Sequence, residues 1–263
     1  MRNVNGHSTA LQAHRGVSTD RPENTLAAFR AALEQGYDVI ELDPKFTLDG
    51  KCGVLHDRTL MRTARDAQGK PVIAAIAEIT LDTARCYEYG SWFAPEYAGE
   101  PIPLLEDVLL FAREHHIPLK LDNVIESFTA AQTQMLFNLV ENTGTAQLAG
   151  FTCTKPEYLS AVAERFPRSA IHYDGPVDQS RLSQLSSLLK LNPLVVWLPY
   201  PNKLTSWCTA PALTDERAEK ERRIGAQLGV WIIEDEAEFA DACMRFAPDI
   251  VETTGSIKPD SST

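Results

Sequence analysis

The chain has 263 residues, 44% of them hydrophobic and 23% charged, enough to bury a large core and ordinary for a globular protein in water. Its 25 basic and 36 acidic residues leave a formal charge of −11, which argues against a nucleic-acid backbone or an anionic membrane surface as the main partner, since both reward basic surfaces. An anionic small substrate remains compatible, because a bound metal ion reverses the sign locally.

The five cysteines, Cys52, Cys86, Cys153, Cys208 and Cys243, are odd in number and form no CxxC, so neither a disulfide framework nor a zinc site is suggested. Residues 1–9 carry no apolar signal-peptide core, and no run of about 18 apolar residues occurs, so no membrane insertion and a cytoplasmic setting are expected.

A first strand is predicted over residues 10–14, ending at His14 and followed by Arg15 and Gly16. Pro22, Glu23, Asn24 and Thr25 lead into a helix over 24–35, with Leu26, Phe29 and Leu33 on one face, Asn24 as a plausible N-cap and Gly36 as the C-cap. The run 38–43 reads as a buried strand, and alternation puts Glu41 and Asp43 on the same side. Two like charges so close are unfavourable unless a cation lies between them. The plainer alternative is a solvated edge strand with two surface acids. Thr47-Leu48-Asp49-Gly50 follows, then a short run over 53–55 that ends at His56 and Asp57.

The stretch 57–103 breaks the rhythm, with Gly69, Pro71, Gly90, Pro95, Gly99, Pro101 and Pro103 punctuating it. A loop that long inside a compact domain is either functional or a small subdomain. A helix over 105–115 follows, with His115 and His116 at its end read as structural. Strands are then predicted over 118–122, 147–152, 170–173, 194–198, 229–233 and 249–253. Helices fall between them over 127–141, 156–166, 179–190, 215–228 and 236–246, and a polar tail closes the chain at 258–263. Eight strands alternating with helices is the count of a (β/α)8 barrel. A doubly wound open sheet competes, but the glycine fingerprint after its first strand is absent.

In such a barrel the site lies at the C-terminal ends of the strands. His14, Glu41, Asp43 and Asp122 fall at such ends, and His56 lies just beyond one. Carboxylates hold a hard cation through oxygen, and imidazoles move protons near neutral pH. Together these are the parts of a metal-assisted phosphodiester hydrolysis site.

Six motifs occur in order: His-Arg-Gly at 14–16, Pro-Glu-Asn-Thr at 22–25, the pair Glu41/Asp43, Thr47-Leu48-Asp49-Gly50, His56-Asp57-x-x-Leu60-x-Arg62-Thr63, and Gly90-Ser91-Trp92-Phe93 continuing through Gly99-Glu100-Pro101-Ile102-Pro103 to Glu106-Asp107-Val108-Leu109. In this order they resemble the glycerophosphodiester phosphodiesterase family, closely over about residues 10–115 and in outline beyond. The resemblance implies a single barrel domain over 1–263 with an insertion at 57–103 over its mouth. It implies cleavage of a small-molecule glycerophosphodiester to an alcohol and glycerol 3-phosphate. His14 and His56 would be acid and base in an unassigned order, and Glu41, Asp43 and Asp122 the ligands of a divalent cation, Mg²⁺ or Ca²⁺. Arg15 would bind the phosphate, with a salt bridge to Glu23 as its structural alternative.

The chain also departs from the family. Asp122-Asn123-Val124 stands where the family carries Glu-x-Lys, so the acid is shorter and the phosphate-contacting lysine is missing. Lys45 and Lys120 are candidate substitutes, each two residues from an inward acid, and Lys45 is preferred as nearer the mouth. Trp231 is retained in Val230-Trp231-Ile232-Ile233-Glu234 and would wall the alcohol side, or sit in the core. Glu252, before Thr253-Thr254, is a substitute polar group or an exposed residue. Trp197, Tyr200 and Trp207 either line the pocket or pack under a loop. These departures leave room for another headgroup, a lysophospholipid, or a non-catalytic barrel that binds phosphorylated ligands. Oligomeric state is not legible.

Overall fold

The fold, taken from a computed structural model, is described for residues 1–4, 6–122, 125–190, 192–201, 203 and 210–260. The chain opens with β1 (Arg2–Val4) paired antiparallel to β2 (His7–Ala13), and continues through α1 (Leu26–Glu34) to β3 (Val39–Leu42). A hairpin of β4 (Pro44–Phe46) and β5 (Cys52–Val54) comes next, then the short α2 (Leu81–Ala84) and α3 (Leu105–His115). Six β-strands with intervening helices complete it: β6 (Leu119–Leu121), α4 (Ala130–Asn142), β7 (Ala149–Cys153), α5 (Pro156–Arg165), β8 (Ile171–Tyr173), α6 (Gln179–Leu188), β9 (Leu194–Pro199), α7 (Asp215–Ile224), β10 (Gln227–Trp231), α8 (Glu236–Phe246) and β11 (Ile250–Thr253).

Parallel pairing runs β2-β3-β6-β7-β8-β9-β10-β11 and returns from β11 to β2, which closes an eight-stranded barrel. All eight strands expected from the sequence are present, and the open-sheet alternative fails on that closing pair. Inside the barrel, Val195, Trp197, Trp231 and Ile250 form their own buried cluster. Outside it, the apolar faces of the helices pack on the strands, as Phe29 of α1, Leu105, Val108 and Leu109 of α3, and Phe239 of α8 do.

Two sequence readings are corrected and one element was missed. The seventh helix ends at Ile224 rather than 228, because Gly225 takes the left-handed conformation (φ 85°) and the chain then extends as β10. Thr25, not Asn24, caps α1 by accepting from the Ala28 amide. The β4–β5 hairpin was not foreseen, since each strand is only three residues long.

The segment 57–103 holds no barrel strand. It folds around Leu60, Ala64, Val72, Ile76, Ala84 and Tyr89, which pack with Leu55 and Ile102. Gly90 is required there, since a Cβ would lie 1.9 Å from the Tyr97 carbonyl oxygen.

Glu221 on α7 is fully buried, and neither of its carboxylate oxygens has a hydrogen-bond partner among the described residues. Burial pushes its carboxyl up to about 9. Below about pH 4.5 both the folded and unfolded chains hold this proton, so it has no effect on stability. Above that the unfolded chain releases it while the folded chain retains it, and stability falls by about 1.4 kcal/mol per pH unit until about pH 9. Glu221→Gln is therefore expected to stabilise the protein by roughly 3 kcal/mol at pH 7 and by little at pH 4. Denaturant midpoints of both proteins at the two pH values check this, and equal differences at both would refute it.

Candidate active site

Alternation along the strands decides which side chains meet. Glu41 points into the barrel from β3, Asp43 follows two residues on, Lys120 points inward from β6, and Asp122 follows it. Oxygens of Glu41, Asp43 and Asp122 lie within 4.8 Å of one another, the arrangement expected from the sequence. Glu41 is 1% exposed. Its burial, then the charges of Asp43, Asp122 and Glu252, hold its carboxyl well above the usual range. The surface-acid reading of the pair is thereby excluded.

The His-Arg-Gly turn is built around this cluster. Arg15 adopts a left-handed conformation (φ 59°), and its backbone N–H donates to Glu41 Oε2 at 2.8 Å. Gly16 follows with φ 79°, and a Cβ there would lie 2.7 Å from Ala28, so only glycine lets the turn seat against α1. The Arg15 guanidinium meets Glu23 at 3.0 Å and Asp43 at 3.6 Å. Asn24, freed from capping, donates to Asp43 Oδ2 at 2.8 Å, and the Asp43 amide donates back to its Oδ1 at 3.3 Å. Asn24 is thus a support for the acid cluster.

His14 and His56 line the same cavity, about 540 Å³, as the three acids, Arg15, Lys45, Lys120 and Trp231. Burial, then the Arg15 charge, brings the His14 imidazole down to about 3, so it is neutral near pH 7. His56 is 43% exposed, with Nδ1 2.6 Å from Asp57 Oδ1. Although burial works against it, Arg62 and His56 bring the Asp57 carboxyl down to about 2. Arg62 bonds both Asp57, at 2.8 Å, and Glu23, at 2.6 Å, tying the insertion to the turn after β2. That role for Arg62 was not foreseen, although the residue lies inside a quoted motif.

The two lysines differ. Lys45, on β4, faces the cavity and makes no ion pair with a carboxylate among the described residues. Lys120 is 3% exposed, with its ammonium 3.2 Å from both Asp122 and Glu252 and 4.6 Å from the centre of the Trp197 ring. Burial disfavours the Asp122 charge, but Lys120 outweighs it and keeps that carboxyl below its ordinary range. Glu252 is buried and also accepts from Gln12, so it is not an exposed residue. Trp197 lies inside the barrel, donating to His172 Nδ1 at 3.0 Å, rather than at a pocket wall or under a loop. Tyr200 is bonded outside to Asp241 at 2.8 Å. Asn123, Val124, Trp207 and Cys208 lie outside the described residues. Asp174, just beyond β8, lines the cavity and was missed; its only signal was an acid at a strand's C-terminal end.

Residues 14–242 match the glycerophosphoryl diester phosphodiesterase family. The chain belongs to this family. Over 100 residues it is 42% identical to a glycerophosphodiester phosphodiesterase of Caldanaerobacter subterraneus, covering 38% of this chain and 39% of that protein. Over 97 residues it is 40% identical to a putative glycerophosphodiester phosphodiesterase of Bacillus subtilis, covering 37% of each. The matched stretch thus spans under two-fifths of these relatives. The fold matches a phosphodiesterase of Oleispira antarctica solved with the product sn-glycerol-3-phosphate, with TM-score 0.76 and 22% identity over 94% of this chain and 93% of that one. A glycerophosphodiester phosphodiesterase of Agrobacterium tumefaciens matches with TM-score 0.69 and 21% identity, over 94% and 96% of the two chains. Members of this family therefore share the barrel seen here even where little sequence is common.

Proposed function

We propose that the protein is a divalent-cation-dependent phosphodiesterase that cleaves glycerophosphodiesters to an alcohol and glycerol 3-phosphate. The observation that carries this reading is the convergence of three carboxylates and two histidines in one cavity of a chain of this family. We read residues 1–263 as one barrel domain, with 57–103 as its insertion.

Glu41, Asp43 and Asp122 would hold the cation. An all-oxygen donor set suits Mg²⁺ or Ca²⁺. When bound, the cation supplies charge neutralisation at the phosphoryl oxygens. His14, neutral near pH 7, takes the proton of the attacking water or neighbouring glycerol hydroxyl. His56, its Nδ1 turned to ionised Asp57, presents Nε2 to the leaving alkoxide and protonates it. Arg15, aligned by Glu23 and Asp43, meets the phosphate, and Trp231 walls a side where one of the two substituents of the diester lies. The direct test is glycerol 3-phosphate release from several glycerophosphodiesters with and without EDTA. No release from any of them under metal-replete conditions would refute the reading.

Lys45 takes the place of the missing lysine in this reading, since Lys120 is already held by two carboxylates. Lys45→Met is expected to lower kcat/KM by roughly one to three orders of magnitude, at about 1.4 kcal/mol per factor of ten, without a change in melting temperature. Lys120→Met leaves Glu252 buried beside the acids, and is expected to reduce stability by about 3–5 kcal/mol. Thermal melts run beside kinetics separate the two. A Lys45 variant with unchanged kcat/KM would show that the substitution is uncompensated.

A cytoplasmic setting is also proposed, supported by the free thiols of Cys52, Cys86, Cys153 and Cys243. No helix among the described residues is long and apolar enough to cross a membrane.

A further inference from the structure

The cavity has two ends of different character. At one stand the acid cluster, Arg15 and the two histidines, with His56 and Arg58 exposed at the mouth. Where β8, β10 and β11 finish, the wall is made by Asp174, Trp231, Ile232 and Glu252. We propose that Asp174 determines specificity for glycerol by hydrogen-bonding the hydroxyls of the diester's glycerol substituent, while the larger leaving alcohol points to the mouth. The inference rests on the phosphodiesterase reading above and names a residue that reading does not use.

Asp174 is placed for this by its strand. It stands two residues beyond inward-facing His172, as Asp122 stands two beyond Lys120, so both acids project into the barrel at strand ends. The chain turns at once behind it. A Cβ on Gly175 would lie 2.2 Å from the Thr154 carbonyl oxygen and 2.6 Å from the Tyr173 hydroxyl, and that hydroxyl donates to the Pro176 carbonyl at 2.8 Å. The loop is therefore pinned, and the carboxyl is preorganised.

Its neighbours are committed elsewhere. The Lys120 ammonium is shared between Asp122 and Glu252, and Glu252 also accepts from Gln12. The Trp231 indole lines the same wall of the cavity as Asp174. A ligand at this end thus meets an indole wall and a fixed carboxyl.

Hydroxyls fit that pair better than an ammonium headgroup does. Lys120 lies nearby as a standing positive charge, and a carboxyl group offers several lone-pair sites to hydroxyl donors. A vicinal diol offers the matching set. Trp231 and Glu252 are buried and close this end, which suits the small constant substituent, whereas the exposed mouth has room for a variable one.

The test compares binding of glycerol 3-phosphate with that of methyl phosphate, which keeps the phosphate and lacks the diol, by calorimetry with Mg²⁺ present. The parent protein is expected to prefer glycerol 3-phosphate by about tenfold or more, the scale of one or two hydrogen bonds. Asp174→Ala should abolish that preference, and the isosteric Asp174→Asn should restore most of it. Should the alanine variant not fold, the same ratio is read on Asp174→Ser, whose shorter side chain withdraws the polar group. The proposal is overturned if the preference survives in Asp174→Ala, or if Asp174→Asn restores none of it. It is also overturned if the parent binds both ligands equally. If the parent binds neither ligand, the phosphodiesterase reading fails and this inference fails with it.

Discussion

Alanine in place of His14 or His56 is expected to lower kcat by about 10²–10⁴-fold, the scale of a lost general acid or base. The two variants should then diverge on one substrate. A p-nitrophenyl diester has a leaving group that departs without a proton. His56→Ala should therefore recover most of its rate on that ester, because the residue beside Asp57 is assigned to protonation. His14→Ala should not recover, because activation of the attacking oxygen is still needed. The reverse pattern would exchange the two roles, and recovery of both would remove His14 from the reaction. Neither change should unfold the barrel, as His56 is 43% exposed and His14 is half-buried at the strand end. A large fall in melting temperature with activity retained would instead make these histidines structural.

Removal of the divalent cation is expected to abolish turnover, and Mg²⁺ or Ca²⁺ to restore it. The physical cause is the crowding of Glu41, Asp43 and Asp122, whose oxygens lie within 4.8 Å. Added metal should raise the melting temperature of the parent protein, since a ligand bound only by the folded state stabilises it. Glu41→Gln should lose that gain and the activity together. The metal-free variant should remain folded, because a glutamine oxygen can still accept the Arg15 amide now 2.8 Å from Glu41. Removing one of three crowded acids also relieves repulsion, so its melting temperature without metal should not fall below the parent's. Full turnover by exhaustively demetallated protein would sink the metal reading.

The barrel was legible because periodicity is local. Strands such as Leu194–Pro199 read as continuous apolar runs, and helices such as Leu105–His115 show buried residues at helical spacing. The acid pair on β3 was legible for the same reason, since a spacing of two places both carboxylates on one face of any strand. Boundaries were weaker where two signals competed. At 224–228 the apolar residues fit either period, and the left-handed turn at Gly225 decided for the strand.

By itself, the order of motifs and the alternation of strands with helices determined the fold, the family and the residues that converge on the acid cluster. Those features depend on neighbours along the chain, which sequence records directly. Tertiary structure alone decided that Asn24 supports Asp43, that Arg62 joins Glu23 to Asp57, and that Lys120 is committed to Asp122 and Glu252. It alone placed Asp174 in the wall of the same cavity as the acid cluster. Each of these is a contact between residues far apart in the chain, and its partner is set by barrel closure and register rather than by any local pattern.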